Sequence, residues 1–248
     1  MTPASTKTDS VKGKSAKKAD KSKAKAKGSK SVPGPRRAPE QAPEQQAPDQ
    51  QRANAAWQRL EEGNQRWASG LSGAALSRTP ERRASLVQGQ APFAMVLGCA
   101  DSRLPTELLF DQGLGDIFVV RTAGHAVDDA VLGSVEYAVA VLGVDLVVVL
   151  GHDSCGAVAA TAKTLGQGTV PGGYIRDIVE RLSCDIASGQ QSGLTSLDDL
   201  SRHHARSTAE LLQNRSGIVR DAVEKNGLGI VAATYELGSG LVRSVPAS

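Results

Sequence analysis

Cys99, His152 and Cys155 have the types and spacing for metal chemistry. Cys99 opens the run Cys99-Ala-Asp-Ser-Arg103, and the other two lie in Gly151-His-Asp-Ser-Cys-Gly156. With two residues between them, an imidazole and a thiolate can present nitrogen and sulfur to one ion. A second thiolate from a separate loop completes a Cys2His set, one of the three-ligand sets that zinc uses where the fourth position is left for water or substrate. Asp101 and Arg103 follow the first cysteine, where a guanidinium can hold a carboxylate through paired hydrogen bonds. Such a carboxylate stays ionised and can accept a hydrogen bond from a metal-bound water, whose pKa zinc lowers to about 7. Taken singly, each residue has a plainer reading: a cysteine is often a small buried hydrophobe, and an Asp–Arg pair is often a surface ion pair. Together they point to a zinc enzyme.

The ligands converge only if the fold brings their loops together. Apolar runs precede both motifs, so Cys99 and His152 stand at strand ends. Parallel sheets gather functional groups outside the carboxyl ends of strands, where strand order reverses. Phe93 to Gly98 reads as the first strand, Asp116 to Arg121 as the second, Asp145 to Leu150 as the third, and Leu228 to Leu237 as the fourth. Gly238-Ser239-Gly240 turns into a short return strand over Leu241 to Val245. Between them lie a short helix over Leu104 to Phe110, an apolar helix over Ala130 to Leu142 and a helix from Gly156 to Leu165. Two polar helices cover 174–189 and 197–226, the second split near Ser216-Gly217. Thr79-Pro80-Glu81 reads as a cap with proline at the first helical position. From Arg52, the residues Trp57, Leu60 and Trp67 share one helical face that covers the main body or a neighbouring subunit, with Gly63 and Gly70 interrupting or ending the helix. The alternation argues an α/β fold: a mainly parallel sheet with an antiparallel C-terminal edge strand and helices on both faces.

Residues 1–50 are of another kind. They hold twelve Lys or Arg against five Asp or Glu and no aromatic residue, a formal +7 that leaves −4 on the rest of a chain with net +3. Such a segment cannot bury enough apolar surface to offset its ordering entropy. A basic Lys/Ala/Ser tract over 12–30 leads into a Pro/Gln-rich stretch over 33–48, with the catalytic domain expected over 51–248. Its expected role is a solvated tail, with weak polyanion binding as the alternative. No signal peptide or membrane-spanning run is seen. Three cysteines, two of them in metal-like company, do not make a disulfide framework, and a cytoplasmic location fits.

Cys184, near Ile178 and Leu182 in a helical pattern, reads as packing. His203 and His204 sit in a polar helix and read as surface residues. His125, in the loop after the second strand, reads as a hydrogen-bonded structural histidine, with proton transfer as the alternative.

The two motifs, with Gly113-Leu-Gly-Asp-Ile-Phe-Val-Val-Arg121 and Glu136-Tyr-Ala-Val139, resemble the β-class carbonic anhydrases, from the helix around Trp57 to the last hairpin. The resemblance implies sheet order 2-1-3-4 with an antiparallel fifth strand, in an obligate homodimer that can pair into tetramers. It implies Zn2+ on Cys99, His152 and Cys155, a catalytic dyad of Asp101 and Arg103, and Asp101 as fourth ligand in a closed state. It implies substrate contacts from Gln90, Phe118 and Tyr137, contributed by the partner subunit, and from the backbone N–H of Gly156. The implied reaction is reversible hydration of carbon dioxide to bicarbonate and a proton by zinc-bound hydroxide. Val96 stands where members with a non-catalytic bicarbonate site carry tryptophan, and with Gln90 this favours the plant-like, non-allosteric subtype. His125 replaces an asparagine common in the family. Alternatives are hydrolysis of carbonyl sulfide or carbon disulfide on the same fold, or a non-catalytic zinc-stabilised protein with a polyanion-binding tail.

Overall fold

In a computed structural model of the chain, the described residues are 49–73 and 78–246. The expectations for the basic tail lie outside them. Helix α1 (Asp49–Ala68) and the short α2 (Pro80–Ser85) precede β1 (Ala94–Cys99), α3 (Thr106–Leu109) and β2 (Ile117–Thr122). A 3-10 turn, Ala123–His125, leads to α4 (Asp129–Tyr137), which runs into a π turn over Ala138–Leu142 before β3 (Leu146–His152). Helices α5 (Gly156–Gln167), α6 (Ile175–Gln191), α7 (Leu197–Arg215) and α8 (Gly217–Asn226) follow, then β4 (Gly229–Tyr235) and β5 (Val242–Ser244).

The strands form one sheet in the order β2-β1-β3-β4-β5. The first three pairings are parallel and β4–β5 is antiparallel. Both β1 and β3 are buried at every position, which is why their sequences are unbroken apolar runs rather than alternations. The period of two survives in where each side chain goes. Val96, Leu146, Val148 and Leu150 pack with Leu60, Phe110, Leu182 and Ile186 on one face. Met95, Leu97, Val147 and Val149 pack with Val131, Val135, Leu212 and Val219 on the other. Each such burial contributes about 1.5–3 kcal/mol. The chain leaves β1 for β2 on one side and returns to β3 on the other, so strand order reverses between β1 and β3. With Gly98 paired to Leu150, the loops after Cys99 and His152 open side by side.

Gly63 neither interrupts nor ends α1. It lies inside the helix because a Cβ there would stand 1.9 Å from the Phe110 carbonyl oxygen, so glycine permits close contact with the end of α3. Gly70, at φ +71°, does follow the helix end. The tryptophans cover this chain's own body: Trp57 and Trp67 pack on the core, and Trp67 Nε1 donates to the Tyr235 hydroxyl at 3.3 Å. Asn64 donates to Leu109 O at 3.0 Å and Gly240 O at 2.9 Å, and accepts from Val242 N at 2.7 Å. One side chain thus ties α1 to α3 and the terminal hairpin. Thr79 caps α2, accepting from Arg82 N at 3.2 Å. Ser216 ends α7 and caps α8, accepting from Val219 N at 3.1 Å.

Two expectations about helix faces are overturned. Cys184 is exposed; α6 buries Val179, Leu182, Ile186 and Gly189, and Cys184, two residues from Leu182, falls on the opposite side. His204 is buried at 3 % exposure. Its place is set by the four-residue repeat Leu200, His204, Thr208, Leu212 along the buried face of α7. His203 is half-buried and meets Ser188 Oγ at 2.8 Å. Among the described residues, no helix is long and apolar enough to cross a membrane.

Candidate metal centre

Strand β1 ends in Cys99 and β3 ends in His152, while Cys155 immediately precedes the first residue of α5. All three are buried, and their ligand atoms lie within 4.8 Å of one another. A tetrahedral ion with metal–ligand distances of about 2.0–2.3 Å needs ligand separations of roughly 3.5–3.8 Å, so the trio closes on one ion with small adjustments. His152 Nδ1 donates to the Asp153 carbonyl at 2.7 Å. That leaves Nε2 as the lone-pair nitrogen, and it is buried without a hydrogen-bond partner among the described residues. An orphaned imidazole nitrogen facing two thiols is an arrangement that a metal completes. The Asp153 loop is itself pinned: its Oδ1 accepts from Leu237 N at 3.1 Å, and its N–H donates to Tyr235 O at 3.2 Å.

The electrostatics favour a thiolate at Cys99, with the two cysteines sharing one proton. The bond from Cys155 pushes the Cys99 thiol well below its ordinary value against the opposing effect of burial, with help from His152 and the backbone N–H groups of Asp101 and Gly124. Gly124 N donates to Cys99 Sγ at 3.3 Å. Cys155 is pushed up because it holds the shared proton against Cys99 and because it is buried, while the N–H groups of Val158 and Ala157 at the start of α5 pull it down. Burial lowers His152, but the Cys99 thiolate beside it and the Asp153 carbonyl outweigh that and raise it.

Asp101 is outside the ligating trio. Arg103 Nε and Nη2 donate to its two oxygens at 2.9 and 2.7 Å, and the Arg103 backbone N–H donates at 2.9 Å. This fork holds the Asp101 carboxyl well below the usual carboxylate range, even though burial opposes it. Arg121, at the end of β2, donates to the carbonyls of Cys99 and Asp101 and so fixes the backbone carrying both. In the sequence Arg121 closes the second strand and the Gly113–Arg121 motif, with no role assigned to its side chain. Its signal was a lone guanidinium inside an apolar run.

The remaining expected residues do not all meet here. Gly156 is exposed at the start of α5, where a Cβ would meet nothing within 4 Å. The Phe118 and Tyr137 rings lie 6.2 Å apart, but Phe118 pairs in register with Met95. That is four residues before Cys99, about 13 Å along the strand. Gln90 lies exposed ahead of β1. Phe118 with Tyr137, and separately Gln90, therefore lie toward the opposite end of the strands from the cysteine loop. His125 is fully buried, but neither ring nitrogen has a hydrogen-bond partner among the described residues, which corrects the expectation of a hydrogen-bonded histidine. Its ring stacks on His204, with centroids 4.3 Å apart. Burial, then the charges of His204 and His152, push its pKa well below the ordinary value.

Residues 94–242, more than half of the 248-residue chain, match the family model described as carbonic anhydrase. The chain is 52% identical over 188 residues to the carbonic anhydrase of Mycolicibacterium smegmatis, covering 76% of this chain and 91% of that protein. It is 50% identical over 186 residues to carbonic anhydrase 2 of Mycobacterium tuberculosis, covering 75% and 89%. Among solved structures it is similar to the β-carbonic anhydrase CafA of Aspergillus fumigatus, with TM-score 0.61, 27% identity, and coverage of 79% of this chain and 91% of that one. It is also similar to the Coccomyxa β-carbonic anhydrase crystallised with acetazolamide, with TM-score 0.58, 25% identity, and coverage of 74% and 83%. With two thiols and an orphaned imidazole nitrogen at the switch point of such a sheet, the chain belongs to the β-class carbonic anhydrase family.

Proposed function

We propose that this protein catalyses the reversible hydration of carbon dioxide, with Zn2+ held by Cys99 Sγ, His152 Nε2 and Cys155 Sγ. The observation that carries the reading is the Asp101 carboxylate, fixed by Arg103 two residues from the first ligand. A site that used metal only to stabilise the fold has no need of that fork. Zn2+, when bound, supplies a Lewis acid that makes hydroxide available from water near neutral pH.

The chain's own residues do the rest. Asp101 stays ionised under its fork and accepts a hydrogen bond from the attacking water, aiming a lone pair at the substrate carbon. Arg121 keeps the loop from swinging by holding its carbonyls. The Gly156 N–H, at the positive end of α5, donates to the oxygen on which charge develops. Gln90 supplies a second polar contact, and Phe118 with Tyr137 forms an apolar wall suited to an apolar substrate. Because these three lie toward the far end of the strands from Cys99, a homodimer in which the partner contributes them is the arrangement that completes the pocket. Pairing of dimers into tetramers, the plant-like subtype and a cytoplasmic location belong to the same proposal.

The test is turnover by the zinc-loaded protein on carbon dioxide, carbonyl sulfide and carbon disulfide in parallel. Fast, saturable hydration of carbon dioxide supports the reading. Turnover confined to the sulfur substrates overturns it in favour of a hydrolase on the same fold.

A further inference from the structure

The His204 ring hydrogen-bonds to Asp185 and Gly124 rather than to Cys99, His152 or Cys155. Its Nε2 is 2.9 Å from the Gly124 carbonyl, and its Nδ1 is 2.7 Å from Asp185 Oδ2. From this position the two ring nitrogens reach both partners at once, and the carbonyl, which can only accept, takes its hydrogen bond from Nε2–H. The Gly124 carbonyl is therefore anchored from α7, and Asp185, on α6, anchors the anchor. The segment held in this way is unusual. Gly124 has φ +62° and His125 has φ +42°, a left-handed pair that L residues rarely adopt. A Cβ on Gly124 would stand 2.7 Å from Ala157 Cβ, so the loop is pressed against α5. The product of the strain is one bond: the Gly124 N–H points at Cys99 Sγ. His125 stacks on His204, and neither of its ring nitrogens has a hydrogen-bond partner among the described residues.

We propose that Asp185 and His204 form a positioning pair that holds the Gly124 N–H on the Cys99 sulfur and thereby sets how tightly the Cys99, His152 and Cys155 trio binds a divalent metal. The inference rests on the metal-centre reading above. A carboxylate paired with an imidazole usually acts directly on a metal ligand, the imidazole itself being the coordinating group. Here it acts one peptide further out, through backbone, on a cysteine.

The test uses the full chain with Co2+ and Zn2+, comparing the wild type with His204→Phe and His204→Gln. Cobalt absorption reports the sulfur-to-metal bands, and competition with a chelator gives zinc affinity; neither readout is activity. The wild type is expected to show thiolate-to-cobalt bands. His204→Phe keeps the ring volume but not the donor, and should bind zinc about tenfold more weakly with displaced bands, in line with loss of an outer-shell partner. His204→Gln, whose amide N–H can reach the Gly124 carbonyl, should restore both readouts to within about threefold of wild type. If His204→Phe matches wild type, or His204→Gln is as impaired as His204→Phe, the inference is overturned while the metal centre stands. If His204→Phe does not fold, Asp185→Ala decides. A loss of zinc affinity in the same direction supports the inference, and unchanged affinity overturns it. A wild type without sulfur-to-cobalt bands overturns the metal-centre reading and this inference together.

Discussion

Replacing Gly63 with alanine should destabilise the protein, although alanine is the better helix former. On helix propensity alone, a glycine in the fifteenth of twenty positions of α1 costs about 1 kcal/mol, so Gly63→Ala would raise stability. The tertiary contact reverses the sign. The new Cβ would lie 1.9 Å from Phe110 O and 2.8 Å from Phe110 C, and both of those atoms are backbone. Phe110 is fully buried, and Asn64, the next residue on α1, donates to the adjacent Leu109 carbonyl at 3.0 Å. Separating the helices therefore strains a packed core, at about 1–3 kcal/mol, and stretches a buried hydrogen bond worth about 1 kcal/mol. After crediting the propensity gain, the net loss is about 2 kcal/mol, or roughly 4–8 °C in Tm for a domain of this size. Thermal unfolding followed by circular dichroism, with zinc at one fixed excess, measures it. Gly166→Ala, near the end of α5 where a Cβ meets nothing within 4 Å, serves as the control and should hold or raise Tm. A Gly63→Ala protein as stable as wild type would refute the reasoning.

Other expectations follow from the site. Gly156→Ala, where the added methyl meets nothing within 4 Å among the described residues, should leave Tm unchanged or slightly higher yet lower kcat/KM for carbon dioxide about tenfold by crowding the substrate; full activity would remove Gly156 from the pocket. The fork from Arg103 depresses the Asp101 carboxyl, so its stabilising effect is present above the unfolded carboxylate value near 4 and fades as pH falls below it. The Tm difference between wild type and Asp101→Asn should accordingly be larger at pH 7 than at pH 3, and a constant difference would contradict the pairing. Cys184→Ser, on an exposed face, should shift stability by no more than about 0.5 kcal/mol and leave zinc content unchanged, whereas Cys99→Ser and Cys155→Ser should each lose zinc in metal analysis.

Much of this architecture is legible in the chain because β1 and β3 are covered on both faces. Their apolar runs are unbroken, and each ends on a residue of the candidate metal centre, so strand, position and chemistry point the same way. The Thr79-Pro80 cap and the Ser216-Gly217 break are equally local signals that tertiary packing did not override. What the sequence hides is set by contacts between distant segments. Gly63 looks like punctuation because the Phe110 carbonyl that demands it lies 47 positions away. His204 looks solvated because α7 is polar in composition, and its buried stripe is marked by only two leucines, Leu200 and Leu212, with His204 and Thr208 between them. Cys184 falls on the exposed face of α6 two residues from the buried Leu182, since proximity in sequence says little about which face a residue takes. Arg121 was visible as a charge in a strand, but its bonds to the Cys99 and Asp101 carbonyls depend on register, which the apolar pattern leaves open.

The most direct test of the central claim is stopped-flow hydration of carbon dioxide by protein whose zinc has been quantified, at pH 7 and pH 8.5, beside Asp101→Ala with the same zinc content. One zinc per chain, fast saturable turnover, and its loss in Asp101→Ala are predicted. A wild type that carries one zinc per chain and hydrates carbon dioxide no faster than buffer, or an Asp101→Ala protein with undiminished turnover, would contradict the account.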